Sequence, residues 1–297
     1  MIFRSLVLAE ATYAGPLMRI MFDGPAEALQ ATVTTQPAIV GASLAALAAV
    51  REAWQGRHGS DLPDPALVAG HSVGEFSALA ASGATDFATA LRLTCERARL
   101  MQWAAEGNPG TMAAVLGLDV DRVDEVCAEA RATIPRSYVT VANHNSSAPS
   151  QVVIAGDQAG VDLATEKCKA AGARRIVPLV VGGAFHSPAM APAREGLARA
   201  VSMAVVGEAR VPLVANVTGR AIRRQREVRD ELSEQVTSRV RWAESMATLA
   251  SAGCVRFIEF GAGAVLSGLV QRAVPGAQVI QVGDAEGVAR AVEWLEQ

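Results

Sequence analysis

The sequence predicts an α/β fold with a mostly parallel sheet, on three observations. Short β-branched runs alternate with longer helical patterns along almost the whole chain, which is typical of α/β proteins. Hydrophobic residues make up 51% and charged residues 19% of the 297 residues, which suffices for a sizeable core and excludes global disorder. A chain of this length suits one large domain, or a large domain with a smaller insert.

The first part of the chain contains the strand and helices nearest to the candidate site. Residues 36–54 are predicted as an Ala-rich helix entered through Pro37, which suits a first-turn position. Residues 66–69 are predicted as a short buried strand. Predicted helices follow over residues 73–81 and 87–105.

The middle of the chain has a different order of elements. Predicted strands cover residues 111–116, 138–142, 151–155 and 174–181, and predicted helices cover 120–130 and 160–171. The order β-α-β-β-α-β is the ferredoxin-like plan. We therefore expect an inserted domain at residues 107–180, and a large domain made of residues 1–106 and 181–297. In the latter part, helices are predicted at 187–205 (with Pro188 in the first turn), 265–273 and 286–295, and strands at 212–215, 256–260 and 278–282.

Charge and composition exclude several classes of function. Lys plus Arg is 27 and Asp plus Glu is 30, a net charge of −3, so no nucleic-acid partner is expected. No apolar run reaches the roughly 18 residues that a membrane span needs. The cysteines and histidines are scattered without C-x-x-C or H-x-x-x-H spacing, so we expect no metal site, no disulfide framework and a cytoplasmic protein. They are Cys95, Cys127, Cys168, Cys254, His58, His71, His144 and His186.

The strongest local motif is Gly70-His71-Ser72-Val73-Gly74. It lies where a predicted strand turns directly into a helix, which is the context that the G-x-S-x-G nucleophile elbow requires. The following helix directs its N-terminus at the serine, so the Val73 N–H is available to an oxyanion. A chance match in a Gly- and Ala-rich chain is the alternative. The elbow favours an α/β-hydrolase-like large domain with Ser72 as nucleophile.

A nucleophilic serine needs a base, and the sequence offers His186. This histidine follows a predicted strand and precedes a helix, which places it where open α/β sheets keep their sites. The alternative is a histidine that only begins the helix at Ser187. Arg97 could bind a carboxylate bidentately, but most such charges are solvated or pair with a neighbour such as Glu96, and without further context that alternative is favoured.

The elbow, Arg97 and His186 belong to a longer ordered set of short motifs. The set consists of Thr35-Gln36-Pro37-Ala38, Gly70 to Leu79, Arg97, Met101-Gln102, Met112 to Val115, Asn143 to Ser146, Gln151 to Gly156, Gly183 to Pro188, Asn216 to Gly219, Val240 to Trp242 and Glu259 to Gly263. Taken together and in order, these motifs resemble the malonyl-CoA:acyl carrier protein transacylases and the related acyltransferase domains of polyketide synthases. The resemblance covers the chain from about residue 22 to the C-terminus.

The resemblance implies a role for each matching position. Ser72 is expected to take the acyl group and His186 to act as base and later as acid, oriented by the backbone carbonyl of Gln235 instead of a carboxylate. Arg97 is expected to pair with the free malonyl carboxylate, which reverses the interpretation made from its context. Val73 and Phe185 match the malonyl-selecting pattern. Asn143 and Asn145 are the other expected substrate-binding residues.

The activity implied is transfer of malonyl from malonyl-CoA to the phosphopantetheine thiol of holo acyl carrier protein, in fatty acid or polyketide synthesis. The resemblance implies covalent ping-pong catalysis without a cofactor, since one thioester is exchanged for another. We expect a monomer, with malonyl-CoA and the carrier protein as partners.

The sequence departs from the family pattern at its N-terminus. The family begins with a strand and a Gly-Gln-Gly-Ser-Gln loop that supplies a second oxyanion N–H. Residues 1–17 of this sequence contain a single glycine, Gly15, and no such motif. A missing core strand would leave a sheet edge or a partly open cleft. Two alternatives therefore stay open: a serine hydrolase or thioesterase, and a weakened homologue that binds carrier protein. A smaller departure is Ala262, where the family has proline.

Overall fold

The structure is a computed structural model that describes the backbone of residues 2–297 and the side chains from residue 6 onwards; Met1 lies outside the described residues. The described chain alternates helices and strands as the sequence predicts. The helices are α1 Ile2–Tyr13, α2 Leu17–Asp23, α3 Ala26–Gln30, α4 Thr32–His58, α5 Gly74–Ala81, α6 Phe87–Gly107, α7 Val120–Thr133, α8 Gln158–Ala170, α9 Ala191–Met203, α10 Gln225–Glu234, α11 Trp242–Ser251, α12 Val265–Ala273 and α13 Ala285–Leu295. The strands are β1 Val68–Ala69, β2 Thr111–Leu116, β3 Val139–Ser147, β4 Ser150–Gly156, β5 Arg175–Leu179, β6 Leu213–Val214, β7 Ala221–Ile222, β8 Val240–Arg241, β9 Arg256–Phe260 and β10 Gln278–Val282.

Outside residues 107–180, in the large part of the protein, the strands other than β8 form two separate sheets. In the first, β1 pairs parallel with β6, and β7 pairs antiparallel on the other side of β6. In the second, β9 pairs parallel with β10. The outer strands β1 and β9 both line one cavity of about 1,710 Å³, which extends to Ser72. A sheet edge or a partly open cleft is expected from the sequence, and this cavity matches that expectation.

The small part is a sheet in the order β5-β2-β4-β3, in which every neighbouring pair is antiparallel. This is the strand order of a ferredoxin-like unit, and it confirms the predicted class of fold. Helices α7 and α8 cover the sheet with a core of their own, which includes Val115, Val126, Ile154 and Cys168. We propose residues 107–180 as the bounds of this unit.

Strand β8 connects the two parts. It adds to the small sheet parallel to β3, pairing Asn143 with Val240 and His144 with Arg241. Because β8 comes from residues beyond 180, the small sheet has a fifth strand that the sequence analysis did not predict. The carboxyl end of β3 is therefore held against the large part, close to the elbow.

The main core surrounds helix α6, which packs against α4, α5 and α9. Helix α4 is long and apolar enough to cross a membrane by length and composition, with a mean hydropathy of 1.5 over its most apolar window. In this fold, however, 72% of that window is buried inside the protein. Its apolar side chains are therefore accounted for by core packing.

Several predicted elements differ at their ends. Helix α4 begins at Thr32, so Pro37 lies inside it and not in its first turn as predicted. The missing Pro37 N–H removes one intrahelical bond near the helix start, where the flanking turns and core packing tolerate it. The predicted helix 187–205 begins as a 3₁₀ turn at Pro188–Met190 before α9. Helix α1 was not predicted.

Candidate active site

The elbow holds Ser72 in a left-handed backbone conformation between β1 and α5, with a φ of 49°. Such a φ is uncommon for a residue other than glycine and stores strain. Gly70 makes the bend possible, because a Cβ at that position would lie 2.1 Å from the Gly74 carbonyl oxygen. Ser72 is therefore presented at the end of a strand and before a helix N-terminus, as the motif predicts.

His186 lies against the serine, with its Nε2 2.7 Å from Ser72 Oγ. Its Nδ1 faces two carbonyl oxygens, those of Gln235 at 2.9 Å and Ser238 at 3.1 Å. Since a carbonyl only accepts, Nδ1 carries the hydrogen and the Nε2 lone pair faces the hydroxyl. His186 also has a positive φ, of 56°, so both partners are held in strained conformations.

Burial keeps His186 neutral. The side chain is buried, and its desolvation, followed by the charge of Arg97, lowers the pKa of His186 to about 3. A neutral imidazole whose lone pair faces a hydroxyl can accept a proton from it at neutral pH. Ser72 and His186 are thus arranged as a nucleophile and its base.

Arg97 projects from α6 into the same site and is 1% exposed. Its Nη2 donates to Ser72 Oγ at 3.0 Å. Its Nη1 donates to Gln36 Oε1 at 2.5 Å, and Nε and Nη2 donate to Gln235 Oε1 at 3.1 and 2.9 Å. The expectation of a solvated arginine, or one paired with Glu96, is wrong, because Arg97 is buried and Glu96 pairs with Arg99.

Arg97 is a buried cation without a carboxylate in direct contact. Desolvation lowers its pKa to about 10, against an opposing effect of Glu75, so it stays charged at neutral pH. Its guanidinium also lies 5.7 Å from the centre of the Phe76 ring. A buried guanidinium held by amide oxygens beside a nucleophile is suited to a substrate carrying a negative charge.

Side-chain amides fix the main chain of Ser72 on both sides. The Ser72 N–H donates to Asn216 Oδ1 at 2.7 Å, and the Gln235 amide nitrogen donates to the Ser72 carbonyl at 2.9 Å. The sequence did not predict these contacts of Asn216 and of the Gln235 side chain. Asn216 was predicted only as part of a family motif, and Gln235 only through its backbone carbonyl.

The remaining predicted residues surround this centre. Val73 is the N-cap of α5, where a main-chain N–H has no intrahelical acceptor. Phe185 is half-buried and packs against the main core. Asn145 Oδ1 lies 2.8 Å from His71 Nε2, and Asn143 Nδ2 lies 3.5 Å from the same atom. The structure thus places both asparagines against His71, at the contact between β3 and the elbow.

The other histidines lie outside the centre. His58 stacks on Trp54 and pairs with Glu296, and His144 pairs with Glu244. Within the part of the chain that the structure describes, no cluster of three or more His, Cys, Asp or Glu could hold a metal ion.

The comparisons with known proteins agree on one family. Residues 9–290 match the family described as acyl transferase domain. The chain is 36% identical over 289 residues to a malonyl CoA-acyl carrier protein transacylase of Bacillus subtilis, covering 97% of this chain and 87% of that protein.

Solved structures show the same architecture. An acyl-carrier-protein S-malonyltransferase from Burkholderia pseudomallei has a TM-score of 0.88 at 37% identity, over 98% of this chain and 91% of that chain. A malonyl-transacylase in complex with its holo type II polyketide acyl-carrier protein has a TM-score of 0.88 at 35% identity, with the same coverage of 98% and 91%. With its elbow, its paired Ser72 and His186 and this likeness over nearly its whole length, the chain belongs to the acyl transferase domain family.

Proposed function

We propose that this chain transfers the malonyl group from malonyl-CoA to the phosphopantetheine thiol of acyl carrier protein through a malonyl-Ser72 intermediate, in fatty acid or polyketide biosynthesis. The observation that carries the proposal is the convergence on Ser72 Oγ of His186 Nε2 at 2.7 Å and Arg97 Nη2 at 3.0 Å. A nucleophile, its base and a cation for a carboxylate then meet at one atom. The named relatives support the same activity.

In the first half-reaction Ser72 Oγ attacks the malonyl thioester carbonyl while His186 Nε2 takes the hydroxyl proton. The bond from Oγ to carbon forms, and the bond from carbon to sulfur breaks. His186 returns its proton to the departing thiolate of coenzyme A. The carbonyl oxygens of Gln235 and Ser238 accept from Nδ1, so they stabilise the imidazolium as a carboxylate would.

The Val73 N–H supports the oxyanion that forms during this attack. It lies at the N-cap of α5, so the helix dipole adds to the stabilisation. The second half-reaction reverses these steps. The phosphopantetheine thiol attacks the malonyl-Ser72 carbonyl, His186 takes the thiol proton, and that proton returns to Ser72 Oγ as the ester bond breaks.

Arg97 selects the acyl group in this proposal. A malonyl carboxylate would take the place of Ser72 Oγ as the acceptor of the Arg97 fork, whereas an acetyl group would leave that buried cation without an anion. Phe185, next to the base, is proposed to limit the substituent on the malonyl carbon. Asn143 and Asn145, which lie against His71, are proposed to contact substrate.

The proposed partners are malonyl-CoA and holo acyl carrier protein, with the chain acting as a cytoplasmic monomer. The relative solved with its carrier protein supports that partner. An exchange between two thioesters needs no metal or nucleotide, since it is close to thermoneutral. The cavity beside β1 reaches the elbow, so water has access to an acyl-serine ester there. This favours a serine hydrolase or thioesterase as the second candidate.

Intact-mass measurement after brief mixing with malonyl-CoA tests the proposal, with Ser72→Ala as the matched control. A malonyl adduct that requires Ser72 and disappears on addition of holo acyl carrier protein is the expected result. Loss of the adduct to free malonate without the carrier protein would support the hydrolase. A folded protein that forms neither adduct nor malonate would contradict both.

A further inference from the structure

Glu75 is a fully buried carboxyl group that the proposed mechanism leaves unused. It lies in the first turn of α5 and is 0% exposed. Its Oε1 accepts from the backbone N–H and the side-chain amide of Asn216, at 2.9 and 3.0 Å. Its Oε2 accepts from the side-chain amide of Gln235 at 2.5 Å. Both oxygens therefore face an NH₂ group of a residue that contacts Ser72.

These two amides must each point in one direction for the site to form. Asn216 turns its oxygen to the Ser72 N–H, and Gln235 turns its oxygen to Arg97. The two ends of a primary amide have nearly the same shape, so only neighbouring donors and acceptors fix the orientation. A carboxyl group that accepts hydrogen bonds at both of its oxygens binds the NH₂ end of each amide. The carbonyl oxygen of each amide then faces the site.

We propose that Glu75 is a positioning residue that orients the side-chain amides of Asn216 and Gln235, and that through Gln235 it sets the acyl selectivity of Arg97. This inference rests on the proposed function, because the selectivity in question is that of the malonyl transfer. It assigns Glu75 no contact with substrate.

Glu231 is a second buried carboxyl group beside Glu75. It lies within hydrogen-bonding reach of Glu75, and its own Oε1 accepts from the Val217 N–H at 2.8 Å. Burial and then Glu231 raise the pKa of Glu75. A proton between the two carboxyl groups would leave the Glu75 lone pairs that face the two amides able to accept.

Glu75→Gln has a specific consequence. The Asn216 backbone N–H is a donor that cannot turn round, so the oxygen of the new amide stays on it and the new NH₂ faces Gln235. Two NH₂ groups then oppose each other, and the Gln235 NH₂ keeps only the Ser72 carbonyl as acceptor. Gln235 therefore turns or shifts, and either movement takes its oxygen away from Arg97. The guanidinium loses two of its hydrogen bonds, while the bond from the Ser72 N–H to Asn216 survives.

The test separates acyl selection from the reactivity of the serine. For Glu75→Gln we expect kcat/KM for Ser72 acylation by malonyl-CoA, relative to acetyl-CoA, to fall by about 10- to 100-fold, as for lost hydrogen bonds to a charged group. Labelling of Ser72 by an uncharged fluorophosphonate requires His186 as base but brings no carboxylate to Arg97. Its rate should stay within about 3-fold of that of the unmodified chain.

Further variants keep the inference falsifiable. Glu231→Gln removes the other carboxyl of the buried pair and should leave both readouts unchanged. Gln235→Met removes the acceptor of Arg97 directly, so in the double variant Glu75→Gln/Gln235→Met the malonyl preference should fall no further than in Gln235→Met alone. If Glu75→Gln does not fold, Glu75→Asp takes its place: it withdraws the carboxyl group from both amides by one methylene, and the same preference should fall.

Three outcomes would overturn the inference. They are an unchanged acyl preference in Glu75→Gln, an equal fall of acylation and fluorophosphonate labelling, and a double variant whose acyl preference falls clearly below that of Gln235→Met alone. In each of these the unmodified chain still forms the malonyl adduct. Failure of the unmodified chain to take a malonyl group would instead overturn the proposed function, and this inference with it.

Discussion

Replacement of Arg97 by methionine should invert the acyl preference of the enzyme. A methionine side chain would fill the space of the buried aliphatic part of Arg97 without its charge. The ring of Phe76, a neighbour of Arg97, would provide an apolar contact. A malonyl carboxylate would then enter a buried site with no cation. An acetyl group would no longer leave a buried guanidinium unpaired, so its transfer should be unchanged or faster.

The size of the effect follows from the burial of Arg97, which is 1% exposed. Removing one partner of a buried charge pair costs about 3–5 kcal/mol, and about 1.4 kcal/mol corresponds to a tenfold change. We therefore expect kcat/KM for malonyl-CoA to fall by roughly 100- to 4,000-fold. The Gln36 and Gln235 oxygens each lose a donor as well, so the free energy of unfolding should fall by about 1–3 kcal/mol for each one left unpaired.

Single-turnover acylation followed by intact mass, with malonyl-CoA and acetyl-CoA in parallel, measures both rates. Arg99→Met is the matched control, because that arginine lies on the same helix with 62% of its side chain exposed and, of the described residues, pairs with Glu96. It should change neither rate. A fall of less than tenfold with malonyl-CoA, or an equal fall with both acyl groups in a folded protein, would refute the assigned role of Arg97.

Three other predictions test the elbow, the base and the small unit. Gly70→Ala should abolish labelling of Ser72 by a fluorophosphonate, because its Cβ would lie 2.1 Å from a backbone oxygen, whereas Gly74→Ala, with nothing within 4 Å, should keep most of it. Labelling should show no inflection near pH 6.5, since burial and then Arg97 lower the pKa of His186 to about 3; a midpoint near 6.5 would argue against a neutral buried base. Because the unfolded chain binds a proton that the folded chain excludes, the stability from His186 is present above pH 6.5 and is lost as pH falls towards 3. Asp157→Ala should lower the free energy of unfolding in urea by about 1 kcal/mol as a lost helix cap, since Asp157 accepts from Gly160 at the start of α8; no change would mean that the cap is replaced.

The sequence determined the class of fold and most element positions. The strands predicted at 111–116, 256–260 and 278–282 match β2, β9 and β10 at both ends. These runs have clear β-branched patterns bounded by turn residues, so local physics suffices to place them. The elbow is also a local feature, since the strand, the glycines and the helix are adjacent in the chain.

Tertiary structure decided what local pattern leaves open. Arginine is usually a surface residue. Only the packing of α6 between α4, α5 and α9 makes Arg97 a buried cation beside Ser72. Strand β8 has two residues, too few for a periodic signal, and it forms because β3 presents a free edge to it.

The network around Ser72 depends on contacts between residues far apart in the chain. Glu75 and Gln235 are separated by 160 positions, and Ser72 and Asn216 by 144. No spacing rule connects such residues, because their proximity results from the whole order of strands and helices. The sequence thus determined which chemical groups this protein has. Folding alone decided which of them are buried together. That burial is the main cause of the altered pKa values of Arg97, His186 and Glu75.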